Sequence, residues 1–202
     1  TATTEIYTFP YTTLFRSFAG YGAFIWRLIL TTGTGLIFGF LVARQAFGSA
    51  LLAPLFIIYS LLYGTAVYLL VLATAYICGG RPLGDGVLRR LKNMLLIFIA
   101  ASFYITLVYH LTNAYYAKQW DFERFILRDG GIYTTLFWVG QIVIGYVVPF
   151  ILMAAPNTRA NRSVMIAASA MIVVGALAQM YVTIIGGQAF PLEMFPGYEV
   201  KS

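Results

Sequence analysis

One cysteine and one histidine occur among the 202 residues, and each scarcity removes a class of chemistry. With Cys78 alone there is no intrachain disulfide, and no iron–sulfur cluster that this chain ligates by itself. With His110 alone there is no bis-histidine haem. A zinc site, which draws on several His and Cys ligands, is not expected, so the metal expectation is none. Histidine–methionine haem ligation stays formally open, but nothing in the sequence points to it. Charge is scarce as well. Charged residues make up 10% of the chain, whereas soluble domains carry about 25%. The net charge of +6 comes from basic residues in short loops. No basic patch is interleaved with exposed aromatics, so nucleic acid is not an expected partner. Any redox work must therefore be done on a bound, diffusible molecule.

What the chain has in quantity is apolar sequence: 60% hydrophobic residues, with a mean hydropathy of +0.82. A membrane helix needs about 20 mostly apolar residues. Five segments qualify: 25–43 (IWRLILTTGTGLIFGFLVA), 51–77, 94–116, 131–155 and 163–185. The expected fold is all-α, a polytopic transmembrane helical bundle in a single domain, with membrane lipid as its surroundings. Arg27 falls near the start of the first segment, where its side chain can snorkel to the interface. Pro54 falls in a first helical turn, where proline costs least. Pro149 falls inside the fourth segment, where a kink is expected. Gly33, Gly35, Gly39, Gly64, Gly140, Gly145 and the Ala167/Ala168/Ala170/Gly175 group are small residues suited to close helix packing. No internal repeat is visible. The opening TATTEIYTFPYTT has no basic stretch followed by an apolar core and is not a signal peptide. It begins with Thr1, and the chain is expected to be a piece of a longer subunit.

The loop charges divide by side. Arg16, Arg27, Arg81, Arg89, Arg90, Lys92, Arg159 and Arg162 fall on the N-terminal side. Arg44, Lys118, Arg124, Arg128 and Lys201 fall on the other. The positive-inside rule then places the N-terminal side in the cytoplasm. The glycines of loop 79–92, GGRPLGDGVLRRLK, are not a nucleotide site, because no strand precedes them.

Polar groups in hydrocarbon cost free energy unless paired, which makes intramembrane polar residues functional suspects. On the third segment Tyr109, Asn113 and Tyr116 follow i, i+4, i+7 spacing, and His110 lies three residues before Asn113, so all can face one neighbour. On the fourth segment Tyr133, Thr134 and Trp138 are outer and Gln141 lies about ten residues in, while Gln179, Tyr181 and Thr183 on the fifth approach the same outer end. This chemistry suits a quinone, whose head group needs an apolar slot and a donor for each carbonyl oxygen. His110 is the candidate donor or proton relay, since imidazole titrates close to neutral pH. Asn113 and Gln179 are candidates for hydrogen bonds to carbonyls or water, and Tyr109 for a wall of the slot. Glu123 or Asp121 would pass protons to the outer water, and Gln141 would extend that path. Plainer roles compete. Tyr115, Tyr116, Trp120 and Tyr133 suit an interfacial belt, while His110, Asn113 and Gln141 suit packing or interhelical hydrogen bonds. Residues 121–129, DFERFILRD, read as a short amphipathic helix on the outer surface, with Phe122, Phe125 and Ile126 on one face and the charges on the other. Gly130 and Gly131 then break the chain.

The chain resembles the NrfD-like, polysulfide-reductase-type membrane anchors. The resemblance rests on ERFILRDGGIYTTLFWVGQIVIGYVVPFIL (123–152), PNTRANR (156–162), ARQAFGSALLAPLFIIYSLLYGTA (43–66) and QMYVTIIGGQAFPLEMFPGYEV (179–200), with IGGQ its most specific part. It implies a subunit without a redox cofactor of its own, in a bacterial or archaeal cytoplasmic membrane. Menaquinone or ubiquinone would be its exchangeable substrate. Its partners would be a ferredoxin-like iron–sulfur subunit and a molybdopterin catalytic subunit. The family usually has eight to ten spans, and its quinone site often lies in an N-terminal helix bundle. Two other classes remain open. A transporter or channel would need polar residues across the bilayer and midplane charges. A purely structural anchor would not need His110 at all.

Overall fold

The computed structural model describes residues 10–79, 84–155, 161–191, 193–195 and 198–199, with side chains over 15–79, 84–155 and 161–191. Arg81, Arg159, Lys201 and most of the PNTRANR loop lie outside the described residues. Numbered in chain order, the helices are α1 (Pro10–Gly39), α2 (Leu52–Cys78), α3 (Asp85–Tyr115), α4 (Ala117–Arg124), α5 (Ile132–Thr135), α6 (Val148–Ala154), α7 (Arg162–Tyr181) and α8 (Gly187–Ala189). Wider π-helical turns occupy Phe125–Asp129, Leu136–Val147 and Val182–Gly186. The second and third of these join α5 to α6 and α7 to α8 as continuous rods. Five helices are long and apolar enough to cross a membrane: Phe15–Gly39, Leu52–Cys78, Asp85–Tyr115, Ile132–Ala154 and Arg162–Ala189. Helices satisfy their own backbone polar groups, the condition hydrocarbon imposes. The expected all-α bundle is thus present. It is followed by one short antiparallel pair, Glu193–Phe195 with Tyr198–Glu199.

The first and third spans need corrected bounds. The third helix starts at Asp85, nine residues before the expected 94, because its basic first turns are helical too. The first ends at Gly39 and runs back well before residue 25. Arg27 is therefore not near a helix start. It stands seventeen residues after the start of α1 and twelve before its end, and the tally of loop charges loses it.

Spans two to five make the core. Leu62, Ala66 and Leu69 of α2, Leu95 and Ile99 of α3, and Ala168 and Ile172 of α7 are fully buried. Small residues set the closest approach. A Cβ on Gly175 would lie 2.3 Å from the Gly145 Cα, and one on Gly140 would lie 2.6 Å from the Ala178 Cβ. The fourth and fifth spans therefore meet backbone to backbone, as small residues in membrane helices permit. Gly35 presses in the same way on Ala53, joining α1 to α2, whereas Gly33 and Gly64 meet nothing. Pro149 sits in the first turn of α6. Just before it, the Val148 N–H bonds to the Val143 carbonyl five residues back. The span meets its proline, which has no N–H to give, by changing from π to α winding.

At the end of the bundle that carries His110, loop 40–51 docks against the IGGQ turn. Arg44 donates to the Gln188 carbonyl at 2.8 Å and the Gly187 carbonyl at 3.5 Å. A Cβ on Gly187 would meet the Phe47 ring at 2.8 Å. At the opposite end an exposed Arg162–Asp85 ion pair at 3.2 Å links α7 to α3.

Candidate functional site

The site starts from one short segment. After α3 the chain turns at Tyr116 and forms α4, which folds back over the His110 end. Phe122 and Ile126 go into the core, as their spacing predicts. Glu123 goes with them, at 1% exposure. The amphipathic pattern puts this carboxylate on a charged face toward water, and that placement is corrected here. Only Asp121, Arg124, Arg128 and Asp129 form the wet face. The physical reason is a partner: Glu123 Oε1 lies 2.5 Å from His110 Nδ1. A buried carboxylate is tolerable when a hydrogen-bonded, ionisable group meets it.

His110 is one-fifth exposed. Its ring packs edge-on to Phe137 at 4.7 Å and to Tyr109 at 5.3 Å. Beside it is a cavity of about 30 Å³ lined by Tyr59, Tyr109, His110, Gln141, Gln179 and Thr183, with apolar side chains between them. Five of the polar residues singled out in the sequence, Tyr109, His110, Gln141, Gln179 and Thr183, therefore share one chamber. Its volume suits about two water molecules. Asn113 does not line it. It is buried against the Tyr109 hydroxyl, which donates to the Ala46 carbonyl at 3.2 Å.

Gln179 Oε1 in the chamber wall is buried without a hydrogen-bond partner among the described residues, as are Asn113 Oδ1 behind Tyr109 and Glu123 Oε2 behind His110. Gln179 spends its amide N–H on Thr183 Oγ1 at 3.0 Å. Buried acceptors are almost always satisfied, so this cluster calls for donors such as water or the hydroxyl of a ligand.

A second polar group continues from the chamber toward the middle of the bundle. Gln141 Nε2 donates to the Tyr59 and Tyr146 hydroxyls at 3.4 and 3.5 Å. The Tyr59 hydroxyl is 2.6 Å from Thr106 Oγ1, which also donates to the Ser102 carbonyl at 2.7 Å. Sequence reasoning missed Tyr59, Thr106 and Tyr146. Each is a neutral hydroxyl in an apolar helix, and the signal available was only the cost of placing such a group in hydrocarbon. Among the described residues no three His, Cys, Asp or Glu side chains gather as a metal site. Tyr115, Tyr116 and Trp120 are exposed at the same end, as belt residues are, whereas Tyr133 is half-buried and stacks on Tyr181.

Residues 9–192 match the family described as "Polysulphide reductase, NrfD". Two curated relatives align. An Hdr-like menaquinol oxidoreductase integral membrane subunit from Archaeoglobus fulgidus is 26% identical over 93% of this chain and 47% of its own length. A selenate reductase subunit from Mesobacillus selenatarsenatis is 24% identical over 79% of this chain and 36% of its own length. The chain thus spans about half the length, or less, of the curated relatives it matches. No solved structure gives a match. The chain belongs to the NrfD family and is a multi-pass integral membrane protein.

Proposed function

With that membership as the premise, we propose that the chain is the quinone-interacting membrane subunit of a respiratory oxidoreductase in a bacterial or archaeal cytoplasmic membrane. Its N-terminal side would face the cytoplasm. The relative named as a menaquinol oxidoreductase subunit supports a menaquinol substrate, with ubiquinol the alternative of the same chemistry. The relative named as a selenate reductase subunit supports partnership with catalytic subunits. A quinol becoming a quinone releases two electrons and two protons. The sequence offers one His and one Cys, so the electrons pass to a partner, a ferredoxin-like iron–sulfur subunit serving a molybdopterin catalytic subunit.

The protons are this chain's task, and the observation that carries the reading is the buried Glu123–His110 pair beside a polar chamber. Glu123 Oε1 accepts from Nδ1–H and so fixes the ring and its tautomer. Nε2 is then the atom that takes a proton when a quinol is oxidised and returns one when a quinone is reduced. Gln141, Gln179 and Thr183 line the space through which that proton moves, and Tyr109 and Asn113 brace the wall. Glu123 is the next carrier outward.

The test is oxidation of a quinol analogue by the purified complex, wild type beside His110→Ala, with co-purification of the partner subunits as the check on assembly. Lost turnover in an intact complex is expected. Unchanged turnover would remove His110 from the route.

A further inference from the structure

The His110 chamber, about 30 Å³, has room only for water-sized molecules; a quinone ring needs more. A second space lies on the other side of Tyr59. It is an open cleft of about 370 Å³ between α1, α2 and α7, lined by Arg27, Thr31, Thr34, Ser60, Tyr63 and Met180 among others. Ligand pockets fall in the range of about 300–1,000 Å³. Tyr59 lines both spaces, and the adjacent α7 residues Gln179 and Met180 line one each.

Two residues give this cleft chemistry. Arg27 stands seventeen residues after the start of α1 at Pro10 and twelve before its end at Gly39, the nearer end being about 18 Å away at 1.5 Å per residue. An arginine at that depth cannot snorkel to an interface, and a cation at mid-bilayer marks a functional position by default. Arg27 makes no ion pair among the described residues. Its neighbours Thr31 and Thr34 turn their hydroxyls back onto the α1 carbonyls of Arg27 and Leu30, which leaves the guanidinium as the donor facing the cleft. The second residue is Tyr63, whose hydroxyl is buried without a hydrogen-bond partner among the described residues. Its ring stacks on that of Tyr59 at 5.5 Å. The cleft therefore combines a guanidinium without an ion pair among the described residues, the buried Tyr63 phenol and aromatic walls, level with the middle of α2.

We infer that the quinone head group seats in the Arg27/Tyr63 cleft, with Tyr59 as the partition between the ring and the His110 chamber. Arg27 and Tyr63 donate to the ring oxygens, and the guanidinium also favours the anion formed when a quinol gives up its first proton. The Tyr59 hydroxyl, tied to Thr106 and Gln141, accepts that proton as it passes its own toward His110; once His110 has handed it on through Glu123 to the outer water, the second quinol proton follows the same route, so both protons leave and Tyr59 gains none. The two electrons leave to the iron–sulfur partner. This inference rests on the quinone reading above, and the experiment separates the two.

The purified complex is labelled with a photoreactive azidoquinone, and the attachment site is mapped by peptide mass spectrometry. In parallel, a hydroxyquinoline-N-oxide quinol analogue is titrated against wild type, Arg27→Gln and Tyr63→Phe. Arg27→Gln keeps a hydrogen-bonding amide and removes a mid-bilayer charge, so membrane insertion is not impaired. Label on α1 and α2 around Arg27 and Tyr63, with affinity weakened roughly tenfold or more by Arg27→Gln and several-fold by Tyr63→Phe, is the expected result, since hydrogen bonds to charged groups are the stronger ones. Label on Tyr109 or Val182 with unchanged affinities would overturn the cleft while leaving the quinone reading standing. Specific label only on other subunits would overturn both.

Discussion

Glu123 Oε1 lies 2.5 Å from His110 Nδ1 across thirteen residues of chain, and the carboxylate is 1% exposed while the imidazole reaches the chamber. The order is that of a relay, with the sealed partner holding the accessible one. Glu123→Gln keeps the size and a hydrogen bond but removes the proton acceptor. Quinol oxidation by the intact complex should fall roughly a hundredfold, within the range attributed to a positioned acid or base, with KM little changed. A turnover within twofold of wild type would show that the pair only packs.

The seam between the fourth and fifth spans makes a separate prediction about stability. A methyl on Gly175 would sit 2.3 Å from the Gly145 Cα, and neither backbone can move aside alone. Gly175→Ala should therefore destabilise the complex by about 1–3 kcal/mol, the usual cost of overpacking a filled site. The measurement is Tm in detergent. Gly64→Ala is the control, because nothing lies within 4 Å of that position. Its Tm should match wild type or exceed it, alanine being the better helix former.

How much of this can be read from residues alone follows from what is local and what is not. The spans are legible because apolar runs of membrane length have few other uses. Tyr109, His110, Gln141 and Gln179 share a chamber because counting along each helix puts them at one level. Arg27 is misplaced by such counting because residues 17–24, SFAGYGAF, are rich in small residues, so the apolar segment is read from 25 although α1 already begins at Pro10. Glu123 reads as wet because an amphipathic pattern assigns faces by polarity, and only the fold reveals that His110 waits beneath. Tyr59 and Thr106 lie on different helices 47 residues apart, and no local pattern carries their 2.6 Å contact.

The latch at the His110 end should be measurable as order. Arg44 donates to the Gln188 and Gly187 carbonyls, and these are among the last carbonyls of the fifth span, which have no partner within the helix. Arg44→Ala should raise hydrogen exchange at the amides of 186–190 and of loop 40–51 together, by an amount matching about 1–3 kcal/mol for a lost charged hydrogen bond. Exchange rising in only one of the two segments would mean that they are held separately.

Tyr59 gives the sharpest test of the relation between cleft and chamber, because it borders both. If its hydroxyl transmits protons, Tyr59→Phe keeps the ring that walls the cleft and the stacking on Tyr63, and loses only the contact to Thr106 Oγ1 and the bond from Gln141. Analogue affinity should then stay within about twofold while turnover falls by roughly ten- to a hundredfold, the loss lying in kcat because substrate binding is untouched. The variant leaves Gln141 with the Tyr146 hydroxyl and Thr106 with the Ser102 carbonyl, so the fold keeps its buried polar partners and Tm should move little. A loss of affinity equal to the loss of turnover would instead make Tyr59 a contact of the ring. Unchanged values of both would disconnect the two spaces and return the proton route to the chamber alone.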